Sequence, residues 1–278
     1  SLDKPSVALR QKKQSSMRLA LNSVKKGEAS ACVSAGNTGA LMAISKYVLR
    51  MIPGIDRPAI LAPLPSLSRS GQLKFTHALD LGANVDSTEH NLVQFALMGN
   101  VLSKHVSGLS SPRVGLLNVG SESIKGKDII KQVHSKLLAI NNLNYIGFIE
   151  GTDLFNDGCD VVITNGFEGN IALKTLEGSA VLFASLLKQS FRKNVLSRIL
   201  ALFTRPVFKS FKAMLDPRFY NGATFIGLNG VVVKSHGNAD QVSFLTALEK
   251  AADQIENPIV DLLTKEFNSM VNDNKVVV

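Results

Sequence analysis

The residues best suited to chemistry in this chain of 278 residues lie in five loops rich in glycine and asparagine. Each loop follows a short run of β-branched residues and precedes an amphipathic stretch with helical periodicity. Glycine lets backbone N–H groups approach a ligand closely, and the N-terminus of the helix that follows favours negative charge. Five such loops together indicate an anion-binding site, although a loop between a strand and a helix also needs Gly and Asn simply to turn.

These loops belong to a repeated unit of strand, polar loop and helix. The five loops cover residues 36–39, 82–86, 118–126, 165–170 and 236–238. Strands that alternate with helices predict an α/β fold with a largely parallel sheet. Loops that leave the carboxyl ends of such strands are expected to gather on one edge of the sheet, where ligands bind. The helix of the first unit is expected to begin at Ala40.

Composition limits the chain to a globular protein of one large domain or two small ones. Hydrophobic residues make up 45% of it, which excludes a disordered chain. Only Cys32 and Cys159 are present, so a disulfide scaffold is excluded and a reducing cytosol is expected. No uninterrupted apolar stretch approaches the roughly 18 residues of a membrane-spanning helix, and no signal peptide opens the chain. The first residue is Ser1, which a removed leader or a missing N-terminal segment would explain.

The positive charge is concentrated in residues 188–215. The net charge of the chain is +9, and this segment carries seven basic residues without Asp or Glu, which leaves +2 for the rest. Large apolar residues recur there at spacings of three and four, which predicts an amphipathic helix that Pro206 ends or kinks before a second one starts. The pattern alone favours a core-facing helix pair over a hairpin lying on an anionic membrane surface.

Several catalytic motifs are absent from the sequence. There is no glycine-rich dinucleotide fingerprint, no nucleotide-binding phosphate loop and no nucleophilic serine elbow. The histidines and cysteines show no metal-ligand spacing, so neither a metal nor a cofactor is expected. His77, His90, His105 and His134 are interpreted as surface or packing residues. No nucleic-acid partner is expected, because the basic residues do not cover a broad face and no binding motif is present.

Five strings of the sequence, in a fixed order, are similar to those of one enzyme family. They are CVSAGNTGALM, LDLGANVD, PRVGLLNVGSESIKGKD, TNGFEGNIALKTLEG and FIGLNGVVVKSHG. The chain resembles the bacterial phosphate acyltransferases of phospholipid synthesis from about Pro5 to about Ala252. Five long strings in order are far more specific than a lone glycine motif.

The resemblance implies a reaction, a fold and a set of partners. Members of the family transfer a long-chain fatty acyl group from acyl carrier protein to inorganic phosphate, giving acyl phosphate and free carrier. The expected fold is a three-layer α/β sandwich like that of the isocitrate/isopropylmalate dehydrogenases and the phosphotransacetylases, working as a homodimer. The expected location is the cytoplasm, with peripheral attachment to the inner face of the membrane. Residues 1–278 are expected to form a single domain that lacks the family's first strand and Gly-Gly-Asp loop, with residues 188–215 as a helical insertion.

The family pattern assigns catalytic roles to Lys125 and Asn170. Phosphate is already a nucleophile at neutral pH, so the enzyme must hold a dianion near a thioester carbonyl and stabilise the oxyanion that forms. Lys125, with Lys127 as its competitor, is expected to neutralise the phosphate. Asn170 is expected to donate to the oxyanion, to cap a helix, or both. His236 is interpreted either as a substrate contact or as a turn residue. The other substrate-binding candidates are Ser34, Gly36, Asn37, Thr38, Gly39, Asn84, Asn118, Gly120, Gly126 and Gly169.

The resemblance also changes the interpretation of residues 188–215. Acyl carrier protein and the membrane surface are both acidic, and family members use an amphipathic helical region at this place for membrane association. The membrane-binding candidates are Val195, Ile199, Leu202, Phe203, Phe208 and Phe211, which also suit an acyl tunnel or a dimer contact. Three other functions stay open: another enzyme on the same scaffold, such as a dehydrogenase or a short-chain phosphotransacetylase; a non-enzymatic carrier or membrane module; and, most distantly, a nucleic-acid binder.

Overall fold

The computed structural model describes residues 4–206, 218 and 221–273, so Phe208 and Phe211 lie outside the described residues. The strands are β1 (Ala31–Ser34), β2 (Ala59–Leu67), β3 (Leu73–Leu79), β4 (Val114–Leu117), β5 (Tyr145–Ile149), β6 (Val161–Ile163), β7 (Ala223–Ile226) and β8 (Val231–Lys234). The helices are α1 (Pro5–Gln11), α2 (Ser16–Lys25), α3 (Thr38–Leu49), α4 (Glu89–Val106), α5 (Asp128–Leu138), α6 (Gly166–Arg192), α7 (Val195–Phe203), α8 (Gln241–Glu256) and α9 (Ile259–Asp273), with a 3₁₀ helix at Gly151–Phe155.

The eight strands form one mixed sheet in the order β1-β8-β7-β2-β3-β6-β4-β5. Four neighbouring pairs are parallel: β1 with β8, β3 with β6, β6 with β4, and β4 with β5. The other three pairs, β8 with β7, β7 with β2 and β2 with β3, are antiparallel and lie between the two parallel groups. Three reversals therefore make β1 and β8 run opposite to β3, β4 and β6.

This reversal corrects the expectation that all five loops share one sheet edge. The loops after β1 and β8 leave the sheet in one direction, and the loops after β3, β4 and β6 leave it in the other. The two groups meet because β2 is long and is shared between them. Its residues Ala59–Leu61 pair with β7, and its residues Ala62–Leu67 pair with β3.

Helices cover both faces of the sheet and enclose two large apolar cores. One core holds α4 with residues of α5 and α9, and α4 is buried along most of its length. The other core holds the inner faces of α2, α3 and the first turns of α6. The arrangement is a three-layer α/β sandwich, as expected. Cys32 and Cys159 are buried free thiols, which agrees with the expectation of no disulfide.

All five predicted strand–loop–helix units are present, as β1–α3, β3–α4, β4–α5, β6–α6 and β8–α8. Polar side chains at the loop ends start several of these helices. The side chain of Asn37 accepts the N–H of Ala40 at 2.9 Å, so α3 begins at Thr38 rather than at Ala40. Asp240 accepts the N–H of Ser243 at 2.9 Å in the same way and starts α8.

The basic segment contains one more helix break than the sequence predicted. Helix α6 ends at Arg192, and the side chain of Asn194 accepts the N–H of Ser197 at 2.7 Å to start α7. Helix α7 ends at Phe203, three residues before Pro206, and the second helix expected after Pro206 lies outside the described residues. The core-facing interpretation favoured by the pattern is wrong for α7, because Val195 is 71% exposed and Phe203 is 77% exposed.

Candidate active site

A cavity of about 1360 Å³ lies where the two groups of loops face each other. Its walls are the loops after β1 and β8, the turn after β3, the middle of β2 and one side of α6. The volume exceeds the 300–1,000 Å³ of most small-molecule sites. We refer to it as the central cavity.

The wall at the β1 and β8 end is polar. Gly36, Asn37 and Thr38 form the start of α3, and Ser235, His236 and Gly237 follow β8 beside them. Buried Asn221 fixes this wall, because it donates to the hydroxyl of Ser235 at 2.8 Å and accepts the backbone N–H of His236 at 3.0 Å. The wall therefore presents amides and hydroxyls from a rigid edge of the sheet.

The opposite wall depends on a tight turn at Asp80. The buried Asp80 carboxylate accepts backbone N–H groups from Ile60, Ala83 and Asn84 at 2.7–3.0 Å, and the carboxamide of Asn84 at 2.9 Å. Burial raises the pKa of Asp80, and these hydrogen bonds oppose the rise. The turn places Gly82 in the wall of the central cavity.

The start of α6 packs directly onto this turn. A Cβ at Gly169 would lie 2.0 Å from the backbone oxygen of Asp80, so only glycine permits the approach. The same packing places the side chain of Asn170 against Gly82 and in the wall of the central cavity. Asn165 is the residue that precedes the first turn of α6. The alternative interpretation of Asn170 as a helix cap is therefore wrong.

A charged network crosses the central cavity between α6 and the β8 loop. Glu177 accepts from Nζ of Lys174 at 2.6 Å and contacts Nε2 of His236 at 3.0 Å. His236 and, to a lesser extent, Lys174 lower the pKa of Glu177 to about 2, against the opposing effect of burial. All three residues line the central cavity, so His236 is more than a turn residue.

The α6 wall of the central cavity is an apolar stripe that ends in basic residues. Its apolar members lie on one side of the helix, and Lys188 and Arg192 stand at its last turns. The apolar members are Leu173, Leu176, Ala180, Val181, Ala184, Leu187 and Phe191. Leu173 and Phe191 are separated by about 27 Å at 1.5 Å per residue. The stripe can therefore hold a long apolar group with one end near Asn170.

The loop after β4 forms a separate feature beside the central cavity. Nζ of Lys125 contacts Glu122 at 2.8 Å, and Lys125 is exposed and does not line the central cavity. This contact raises the pKa of Lys125. Lys127 bonds Glu168 on the first turn of α6 at 2.7 Å, which connects the loop to the site.

The predicted substrate-binding residues divide into two groups. Gly36, Asn37, Thr38, Asn170 and His236 line the central cavity together. The others lie outside its walls and shape the loops: Ser34 accepts the N–H of Gly36, Gly39 packs on Pro5, Asn84 and Gly169 hold the Asp80 turn, and Asn118, Gly120 and Gly126 pack within the β4 loop. In that loop Gly126 has a φ of 91°, which favours glycine.

Two features bear on metals and membranes. The described residues contain no group of three His, Cys, Asp or Glu side chains placed to hold a metal ion. Within the described ranges one helix, α6, has the length and mean hydropathy of a membrane-spanning segment, and its apolar window is not buried. This one helix is weak evidence for a membrane span, because the charged residues Lys174 and Glu177 interrupt its apolar sequence. Its first turns also line the central cavity.

Solved structures of acyltransferases to phosphate share this fold. A phosphotransacetylase from Streptococcus pyogenes aligns with a TM-score of 0.54 and 16% identity, covering 86% of this chain and 67% of its own. A branched-chain phosphotransacylase from Enterococcus faecalis V583 aligns with a TM-score of 0.52 and 14% identity, covering 92% and 81%. The expected likeness to the phosphotransacetylase fold is confirmed.

Sequence comparison gives the family. A family model described as "Fatty acid synthesis protein" matches residues 1–261. A phosphate acyltransferase of Methylococcus capsulatus is 51% identical over 257 residues, which cover 92% of this chain and 74% of the relative. One from Legionella pneumophila (strain Corby) is 48% identical over 268 residues, which cover 96% and 77%. The chain belongs to the phosphate acyltransferase family.

As a phosphate acyltransferase, the enzyme transfers an acyl group to phosphate in fatty acid and phospholipid synthesis. Sequence reasoning missed six of the described polar residues that line its central cavity: Lys174, Glu177, Arg218, Asn221, Lys234 and Ser235. A signal existed for two of them, because Lys174 and Glu177 follow Asn170 by four and seven residues and share its side of α6. Lys234 is the last residue of β8, and its place in the cavity wall became visible only in the fold.

Proposed function

We propose that this phosphate acyltransferase takes a long-chain acyl group from the thioester of acyl carrier protein and transfers it to inorganic phosphate. The observation that carries the proposal is the continuity of the central cavity, which joins a polar, cationic end to the apolar stripe of α6. One leaflet of a bilayer accommodates an acyl chain in about 15 Å, half of the ~30 Å hydrocarbon core. The stripe is longer than that, so it suits a long chain.

The proposed step is an attack of a phosphate oxygen on the thioester carbonyl carbon. The new C–O bond forms as the C–S bond breaks, and the proton of HPO₄²⁻ goes to the sulfur that leaves. The products are the acyl phosphate dianion and the thiol of the free carrier, so atoms and charge balance without an oxidant or a further reactant. Catalysis then consists of holding the phosphate close to the carbonyl and stabilising the oxyanion.

In this proposal Asn170 donates a hydrogen bond to the oxyanion and Lys125 offsets negative charge on the phosphoryl group. The position of Asn170 at the polar end of the apolar stripe supports its role. Lys125 would exchange its contact with Glu122 for the substrate, and its exposure leaves it free to do so. Gly36, Asn37 and Thr38 supply N–H and hydroxyl donors from the other wall.

We also propose that the exposed apolar side of α7 attaches the enzyme to an anionic membrane surface from the cytoplasm. Val195, Ile199, Leu202 and Phe203 are each at least half exposed, which would be costly for a helix in water. Lys188, Arg192 and Arg205 lie close by in sequence and suit an acidic lipid surface or an acidic carrier. A homodimer completes the proposed assembly.

The test is phosphate-dependent release of free carrier from palmitoyl acyl carrier protein, with neither nucleotide nor metal added. We expect turnover that rises with phosphate concentration and produces acyl phosphate. Acetyl coenzyme A is the matched donor for a short-chain enzyme of the same fold. Faster turnover of acetyl coenzyme A than of palmitoyl carrier would overturn the long-chain assignment. Turnover that does not depend on phosphate concentration would overturn the assignment of phosphate as the acceptor.

A further inference from the structure

Lys234 lies in the wall of the central cavity and has no counterion within the part of the chain that the structure describes. It is the last residue of β8 and is half-buried. Its ammonium group bonds the backbone oxygen of Ser235, and among the described residues no carboxylate pairs with it. A half-buried charge that lacks an opposite charge is unfavourable unless a ligand supplies one.

The central cavity that Lys234 lines carries an excess of positive charge. Besides Lys234, the permanent cations that line the central cavity are Lys174, Lys188, Arg192, Arg205 and Arg218, whereas Glu177 is the one carboxylate among the described lining residues. Glu177 already pairs with Lys174 and His236. Burial, together with the charge of Lys174, lowers the pKa of Lys234. An anion bound in the cavity would offset both the cost of burying the Lys234 charge and its repulsion by Lys174.

The neighbours of Lys234 are donors suited to phosphoryl oxygens. Lys234 stands beside Ser34 in the parallel pair of β1 and β8, so it adjoins the loop that starts α3. That loop brings Asn37 and Thr38 into the same wall of the central cavity. Fixed Asn221 and Ser235 hold the β8 loop in place. A tetrahedral dianion in this corner would meet a cation, hydroxyls and backbone amides from two adjoining strand ends.

We propose that Lys234 is a phosphoryl-binding residue of this enzyme, and that its ammonium group holds the acceptor phosphate in the β1–β8 corner of the central cavity. The assignment rests on the proposed function and adds a second cation to it, since Lys125 approaches from the β4 loop. The phosphodiester on the prosthetic arm of the carrier is also a phosphoryl anion, so Lys234 could bind it in the same way as the acceptor phosphate. The experiment must therefore separate the acceptor from the donor.

The test compares Lys234→Met with Lys234→Arg and with Lys250→Met. Lys250 is a matched control, because burial lowers its pKa as well and it does not line the central cavity. The first readout is the rise in melting temperature with inorganic phosphate, without any acyl donor. We expect the rise in wild type and Lys250→Met, its loss in Lys234→Met, and partial recovery in Lys234→Arg.

The second readout is steady-state kinetics with palmitoyl carrier. Loss of a hydrogen bond from a charged group predicts that KM for phosphate rises about ten- to hundredfold in Lys234→Met, with KM for the carrier little changed. If KM for the carrier rises instead, the ligand is the prosthetic arm and the assignment is wrong. If phosphate raises the melting temperature of Lys234→Met as much as that of wild type, the assignment is also wrong. The titration needs no donor, so it decides on Lys234 even if the carrier assay shows no turnover.

Discussion

Replacement of Gly169 by alanine is expected to reduce both stability and turnover, because α6 can approach the Asp80 turn only without a side chain there. The added Cβ would lie 2.0 Å from the backbone oxygen of Asp80 and 2.8 Å from Cγ2 of Thr164. Ordinary contacts begin at about 3.4 Å, so α6 or the turn must shift by more than 1 Å. Overpacking of this kind costs about 1–3 kcal/mol, which exceeds the gain of about 1 kcal/mol from alanine in a helix.

The shift would also move Asn170, the next residue on α6, away from its proposed position at the reacting carbonyl. A misplacement of about 1 Å can cost about a hundredfold in rate. The assay is urea unfolding of Gly169→Ala together with kcat for carrier release. Gly178→Ala on the same helix is the control, since no atom lies within 4 Å of its added Cβ. It should be stabilised by up to about 1 kcal/mol with unchanged kcat. Wild-type stability and turnover in Gly169→Ala would refute the proposed contact.

Three further predictions concern charge and surface. Lys125→Ala should lower acyl phosphate formation by about a hundredfold or more without changing the circular dichroism spectrum, and wild-type turnover would remove Lys125 from the mechanism. Because contact with His236 depresses the pKa of Glu177 from 4.5 to about 2, the ionised carboxylate stabilises the fold fully above pH 4.5. The difference in unfolding free energy between wild type and Glu177→Gln should therefore shrink as pH falls from 4.5 to 2, and a constant difference would contradict the pairing. Phe203→Glu should weaken binding to anionic liposomes at least tenfold, whereas Leu138→Glu, a control at a similarly exposed residue on α5, should not; equal binding by both would place the membrane contact elsewhere.

The five strand–loop–helix units could be predicted from the sequence because their signals are local. A β-branched run such as Val161–Ile163, the glycine loop after it and the apolar repeat that follows all lie within about 30 residues. The run predicts a strand, the loop a turn and the repeat a helix. Strand β2 gave no such signal, since Pro63 and Pro65 lie within it and proline usually marks the end of a strand. In the described structure β7 pairs only with Ala59–Leu61, so these prolines face an edge where no ladder bond is lost.

In the candidate site, too, the residues that could be predicted are those with a local sequence signal. Asn37, Asn170 and His236 stand in loops or first turns that any strand–loop–helix unit brings to a sheet edge. The spacing from Asn170 indicates which side of α6 Glu177 lies on, but the contact of Glu177 with His236 and the place of Lys234 in the cavity wall could not be predicted, because they depend on how α6 packs against β8. The start of α6 is held by the close approach of Gly169 to the Asp80 turn, which is a packing contact between distant parts of the chain.

The reversal of strand direction at β7 and β2 accounts for the two-sided shape of the site. In a wholly parallel sheet all the loops would line one edge, and a ligand there would meet donors from one side. Here the β1 and β8 loops carry Asn37 and Lys234, and the opposite group carries Asn170 at the head of the apolar stripe. A reaction between a phosphate and an acyl thioester needs two ligands brought face to face. In the proposed function one wall binds the anion and the other binds the apolar chain, which meets this requirement, and the contact between Glu177 and His236 joins the two walls at 3.0 Å.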